Sequence, residues 1–152
     1  MCIRDRYNTD TLIFAKPLEL EYFEFLGKRF VYDVVVGKDF AGKYLIGTYL
    51  EVIVDGKCKL YRKYDKKLVA FTQGYKYAAA ETAAETYQLQ TSLYVKFNEN
   101  EAPFFLPKKR KILLKLFADQ KYELKKFIKQ HRLKFTSDDD FIALVNKYNS
   151  LI

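Results

Sequence analysis

Histidine occurs once in this chain, at position 131, and cysteine twice, at positions 2 and 58. So few soft ligands cannot complete a tetrahedral zinc site. The chain holds neither a G-x-G-x-x-G run nor a P-loop lysine, so no glycine-rich phosphate cradle is recognisable. A G-x-S-x-G nucleophile elbow is also missing. No stretch approaches the ~18 apolar residues of a membrane span. These absences remove the recognisable parts of several enzyme classes. The expectation is a protein that is not an enzyme and takes no cofactor.

What is present is apolar and aromatic. Hydrophobic residues make up 49% of 152, with 13 Tyr and 13 Phe. Chains that stay disordered are poor in aromatics, so a packed core is expected, and the length suits one domain. Tyrosine fits half-exposed sheet faces, where its ring packs and its hydroxyl stays wet. The opening Met1-Cys2-Ile3-Arg4-Asp5-Arg6 looks like a translated sequencing adapter and is set aside as a scar. Cys2 is then not native and Cys58 is the one cysteine that counts. The true N-terminus is expected to be missing, so the lack of a signal peptide says nothing of localisation.

Residues 7–152 read as a single α+β domain: a β-rich part over 7–107 and a helical part over 108–152. Leu18-Glu19-Leu20-Glu21-Tyr22 alternates apolar and acidic, the period of a half-buried strand. Leu26-Gly27-Lys28 reads as a turn, and Arg29–Val36 as a strand rich in β-branched residues. Gly37–Lys43 carries two glycines and reads as a loop. Tyr44–Val54 is strand-like. Asp55-Gly56 suits a type I′ turn, which sets Val54 against Lys57, Ile53 against Cys58 and Glu51 against Leu60. Residues 72–88, low in complexity and alanine-rich, read as a linker or a marginal surface helix. Leu89–Phe97 is a strand, Asn98–Glu101 a turn, and Pro103–Leu106 a short edge strand.

From Pro107 the hydrophobic period becomes helical. Ile112, Leu113, Leu116 and Phe117 form one stripe. Leu124, Phe127, Ile128 and His131 form a second, and Phe141, Leu144, Val145 and Tyr148 a third. Ser137 with Asp140 predicts a capping box for the last helix, and Asp138, Asp139 and Asp140 suit its dipole. Strands first and helices last predict an antiparallel sheet of about six strands followed by three short helices.

The stretches Leu113–Phe117, Lys125–Lys134 and Asp139–Leu151, with the Val54-Asp55-Gly56-Lys57 hairpin, carry a resemblance. The chain is similar to a family of small uncharacterised bacterial proteins that pair a β-rich N-terminal half with a lysine-rich helical tail. The resemblance implies export to the envelope of Gram-negative cells, periplasmic or secreted, through a signal peptide missing here. It implies no activity and no site residues.

Individual side chains offer little chemistry. His131 ends an apolar stripe near helix C-terminal carbonyls, a favourable place for a cation. Cys58 is expected to be structural, because its thiolate has no stabilising neighbour. Asp138-Asp139-Asp140 lacks the spacing of a calcium loop. Glu19, Glu21 and Glu24 read as the solvent face of a strand. Charge says more. Residues 108–152 hold 12 basic and 5 acidic side chains, against 15 and 14 in the rest, so nearly all of the net +8 lies at the C-terminal end. Lys108, Lys109, Arg110 and Lys111 form one cluster, and Lys121, Lys125, Lys126, Lys129, Arg132 and Lys134 a second. Such a surface either keeps a domain solvated or attracts a polyanion: nucleic acid, anionic lipid or acidic polysaccharide. The first expectation is therefore a structural or protein-interaction domain using an aromatic sheet face. The alternative is a polyanion-binding module using those ten residues.

Overall fold

A computed structural model describes residues 2–4, 12–14, 20–39, 42–72 and 83–152. Six strands form one antiparallel sheet in chain order: Tyr22–Phe25 (β3), Lys28–Asp39 (β4), Gly42–Val54 (β5), Lys59–Thr72 (β6), Ala83–Lys96 (β7) and Phe104–Phe105 (β8). Helices Arg110–Leu116 (α1), Lys121–Gln130 (α2) and Asp138–Asn149 (α3) follow, as the change of period predicts. Two further strands, Cys2–Arg4 (β1) and Leu12–Phe14 (β2), pair only with each other, and β1 falls within the opening residues set aside above. The strand expected at Leu18–Tyr22 is seen only from Tyr22; positions 15–19 are outside the described residues.

Several turns differ from expectation. Where it is described, the stretch expected as a loop over Gly37–Lys43 is strand: Gly37, Lys38 and Asp39 stay in ladder with Tyr44, Lys43 and Gly42, and positions 40 and 41 are outside the described residues. Two long, well-matched strands carry the pairing through the glycines. Asp55-Gly56 is not a two-residue turn. Val54 pairs with Leu60, Val52 with Tyr61 and Glu51 with Arg62, across a bulge. The cause lies far along the chain. Asn149, the last residue of α3, accepts the Cys58 N–H through Oδ1 at 2.8 Å and donates Nδ2 to the Cys58 carbonyl at 2.9 Å. Gly56 is needed for that approach rather than for positive φ, since a Cβ there would lie 2.6 Å from the Asn149 amide nitrogen. The left-handed two-residue turn sits instead at Leu26 (φ 50°) and Gly27 (φ 72°), between Phe25 and Lys28.

The alanine-rich stretch is neither linker nor helix where it is described. Ala83–Gln88 is strand, paired residue by residue with Lys67–Thr72. A complete ladder on β-favouring partners such as Val69 and Phe71 overrides the helical preference of alanine and glutamate. Positions 73–82 are outside the described residues.

The base of the sheet is buried on both faces. On one, Val54, Leu60, Leu93 and Val95 pack with Leu106 and the helices. There the third stripe lies as its spacing predicts: Phe141, Leu144, Val145 and Tyr148 are all buried. The first stripe is rotated, with Leu113, Leu114 and Phe117 buried, Leu116 partly so, and Ile112 exposed. In the second, Leu124 and Ile128 are buried, but His131 is the exposed C-cap of α2. Ser137 occupies the N-cap of α3 without a side-chain cap bond, so no capping box forms. Asp140 is occupied elsewhere, accepting the backbone N–H groups of Lys134 and Phe135 at 3.0 and 2.7 Å. On the opposite face Val35, Leu50, Tyr61 and Tyr94 make a second core. That face is concave: β4 touches β8, and Asp33 of β4 pairs with Lys96 of β7 at 2.8 Å.

Candidate functional site

The ladder between β5 and β6 stops at Glu51 and Arg62, although both strands run on, β5 back to Gly42 and β6 forward to Thr72. Two ribbons therefore leave a shared base as separate arms, β4–β5 and β6–β7. The register places Val34, Val36 and Leu45 of the first arm on the face that carries the helices. Leu68, Tyr87 and Leu89 of the second arm lie on the same face. The helices cover only its base. Leu45, Tyr87 and Leu89 are 71%, 69% and 63% exposed, and Val34, Val36 and Leu68 are also exposed. Bare apolar side chains grouped on one face are unusual on a monomer's surface and mark places where something docks.

The root of the fork is held by charge. The Glu51 carboxylate accepts from the Tyr64 hydroxyl at 2.5 Å, from Arg62 at 2.9 Å and from Lys28 at 3.1 Å. Arg62 also donates to Asp138 in the first turn of α3, at 2.7 Å. Burial alone would push the Glu51 carboxyl up. The hydrogen bonds from Tyr64 and Lys28 and the charge of Arg62 outweigh it and hold the group below its ordinary range. Lys28 also donates to the Tyr64 hydroxyl at 3.2 Å, and its bonds to Tyr64 first and then to Glu51 raise its ammonium. Lys28, Arg62, Glu51 and Asp138 balance in charge, so the buried Glu51 and largely buried Arg62 are held at modest electrostatic cost.

Beside this cluster, a groove of about 490 Å³ opens between the β3–β4 turn and the second arm. Phe25, Leu26, Phe30 and Leu89 supply its apolar wall, and Lys28, Tyr64 and Lys66 its polar rim. A second, more polar cavity of about 880 Å³ lies at the base between the 55–58 loop and α1. Two of its lysines are already paired, Lys59 with Glu99 and Lys96 with Asp33.

All ten cationic residues singled out from the sequence are exposed. Lys108 precedes α1, Lys109 caps it, and Arg110 and Lys111 open it. Lys121, Lys125, Lys126 and Lys129 lie on α2, and Arg132 and Lys134 in the loop behind it. Among the described residues none of the ten is in an ion pair. Lys108 and Thr136 line the same small cavity, so the start of α1 lies beside the turn that carries Lys134.

The remaining candidates are structural in their contacts. Cys58 is fully buried, and burial first, then the charge of Asp119, pushes its thiol up to about 12. At neutral pH it is not a thiolate nucleophile. His131 lies with its ring 4.3 Å from that of Phe127. Asp138 and Asp140 are engaged by Arg62 and by backbone N–H groups. Among the described residues no group of His, Cys, Asp or Glu could hold a metal ion, and no helix is long and apolar enough to cross a membrane. No family model matches this chain, and no curated protein or solved structure matches it significantly. The sequence offered no sign of the fork or of the groove. Lys28, Glu51, Arg62 and Tyr64 come together only through register.

Proposed function

We propose that this protein is a binding domain that takes up an extended segment of another protein along the open edge of β5. One observation carries the reading. From Gly42 to Leu50 the β5 edge that faces away from β4 pairs with no described strand. Open edges invite pairing, and proteins that avoid it guard them with charge or proline. Between Tyr44 and Leu50 the edge carries neither. Across the fork β6 is guarded, with Lys63, Asp65, Lys66 and Lys67 in close succession. Strand addition draws affinity from main-chain hydrogen bonds and specificity from alternate side chains. Here the bare face suits apolar side chains, and the lysines of β6 suit acidic ones. The fitting partner is a strand that alternates apolar and acidic residues.

The test is hydrogen exchange with a synthetic peptide that alternates valine and glutamate. At a peptide concentration of about ten times Kd, the amides within Gly42–Leu50 that point away from β4 should exchange about tenfold more slowly. A control peptide of equal composition, with all valines before all glutamates, should protect nothing. Equal protection by both peptides, or protection elsewhere only, removes the reading. Protection that grows with the protein's own concentration instead assigns the edge to a second copy of this chain.

A second reading, polyanion binding, is favoured by the ten exposed cations without ion-pair partners among the described residues and by the closeness of Lys108 to the turn carrying Lys134. Affinity for duplex DNA should then fall steeply with salt. Charge reversal at Lys125 and Lys129 should reduce the log–log slope by about 0.9 for each phosphate that is no longer neutralised. No retention at low salt ends this reading.

A further inference from the structure

We propose that the groove between the β3–β4 turn and the second arm binds an amphipathic carboxylate of the fatty-acid class. Its chain would lie against Phe25, Leu26, Phe30 and Leu89, and its head group at Lys66. The groove has the character of small-molecule sites: concave, mostly apolar, about 490 Å³, with a few convergent polar groups.

Leu26 gives the first independent support. It sits at the tip of the turn at φ 50°, a left-handed conformation that leucine adopts only against steric resistance. Glycine and asparagine are the residues that suit this place. Its side chain is moreover 83% exposed. A large apolar residue held in a strained conformation, in water, at the lip of an apolar groove is unfavourable on every local count. Strain of this kind persists where function requires it. An acyl chain seated in the groove would cover Leu26 and remove one of those penalties.

Charge gives the second. Lys28 is neutralised by Glu51, so it offers an incoming ligand no net attraction. Lys66 stands directly across the ladder from Leu89 and is in no ion pair among the described residues. The rim therefore carries one uncompensated positive charge, beside the apolar wall. A neutral lipid would leave that cation without a partner, and a cationic amphiphile would be repelled.

This site shares Leu89 and Lys66 with the face between the arms but not the β5 edge itself, and the experiment keeps the two apart. Dodecanoate, below its micelle concentration, is titrated calorimetrically into the protein alongside dodecyl alcohol. Dodecanoate should bind at a single saturable site. Leu26→Asn relieves the turn and leaves the fold at least as stable, yet should weaken dodecanoate binding by at least about tenfold. Lys66→Glu should weaken dodecanoate by about tenfold and leave the alcohol unchanged. Leu45→Asn, on the bare face of the other arm, should change neither, although it would disturb strand addition. Any of four results overturns the proposal: no saturable binding, full affinity in the Leu26 variant, equal loss of acid and alcohol in the Lys66 variant, or loss in the Leu45 variant.

Discussion

Replacing Phe117 by alanine should lower the stability of the fold by about 4 kcal/mol. The ring is fully buried at the C-terminal end of α1. It meets Phe97 edge-on at 5.2 Å and Tyr148 at 4.9 Å, so one side chain joins the loop after β7, the first helix and the last. Truncation strips away this packing and leaves a cavity that three elements cannot close together. A domain of this size is stable by only about 5–15 kcal/mol, so the variant stands near the limit of folding. Thermal unfolding should move down by roughly 10–15 °C. Ile112→Ala, near the start of the same helix, should cost only about 1 kcal/mol, because nearly half of Ile112 is exposed. The pair of variants measures which face of α1 is turned inward. Equal losses would contradict the orientation described.

The second large effect concerns Glu51. Glu51→Gln keeps the shape but removes the charge that Arg62, Lys28 and the Tyr64 hydroxyl converge on. A loss of about 1–2 kcal/mol is expected at neutral pH, chiefly from the largely buried Arg62 losing one of its two carboxylates, since the exposed Lys28 is screened by water and adds little. The pH dependence has a definite sign. The Glu51 carboxyl is held below its ordinary value of 4.5 when the chain is folded. In the window between the lowered and the ordinary value the unfolded chain binds more protons, so stability falls as pH drops through it. Above that window the contribution is complete. The variant should therefore lose least, relative to the parent, in strong acid. Urea midpoints for both proteins across the acid range measure this, and a constant gap between the two curves would show that Glu51 does not titrate as argued.

Much of the architecture was legible because it is local. The Phe141, Leu144, Val145 and Tyr148 spacing defines one buried helical face whatever surrounds it. Pro103 cannot donate to a ladder, and β8 is indeed an edge strand. What escaped was decided at a distance. The Asp55-Gly56 register is overruled by Asn149, which is 91 positions from Cys58. Ala83–Gln88 carries helix-favouring residues but is ordered by its partner β6. Asp140 had the right spacing for a cap and was taken by the preceding loop instead. Tyr44–Val54 declares itself a strand through its own residues. Nothing in that run says that three short helices reach only the lower end of the sheet and leave Leu45 bare.

The bond between Asn149 and Cys58 also bears on when this protein can fold. The central β5–β6 turn takes its final shape against a residue made long after both strands. During synthesis the sheet's two halves can each zip up locally, but their junction has no clamp until α3 has emerged. The nascent chain must therefore carry its β5–β6 junction unclamped until α3 has been made, the interval in which capture of its open edge by a neighbouring chain is easiest.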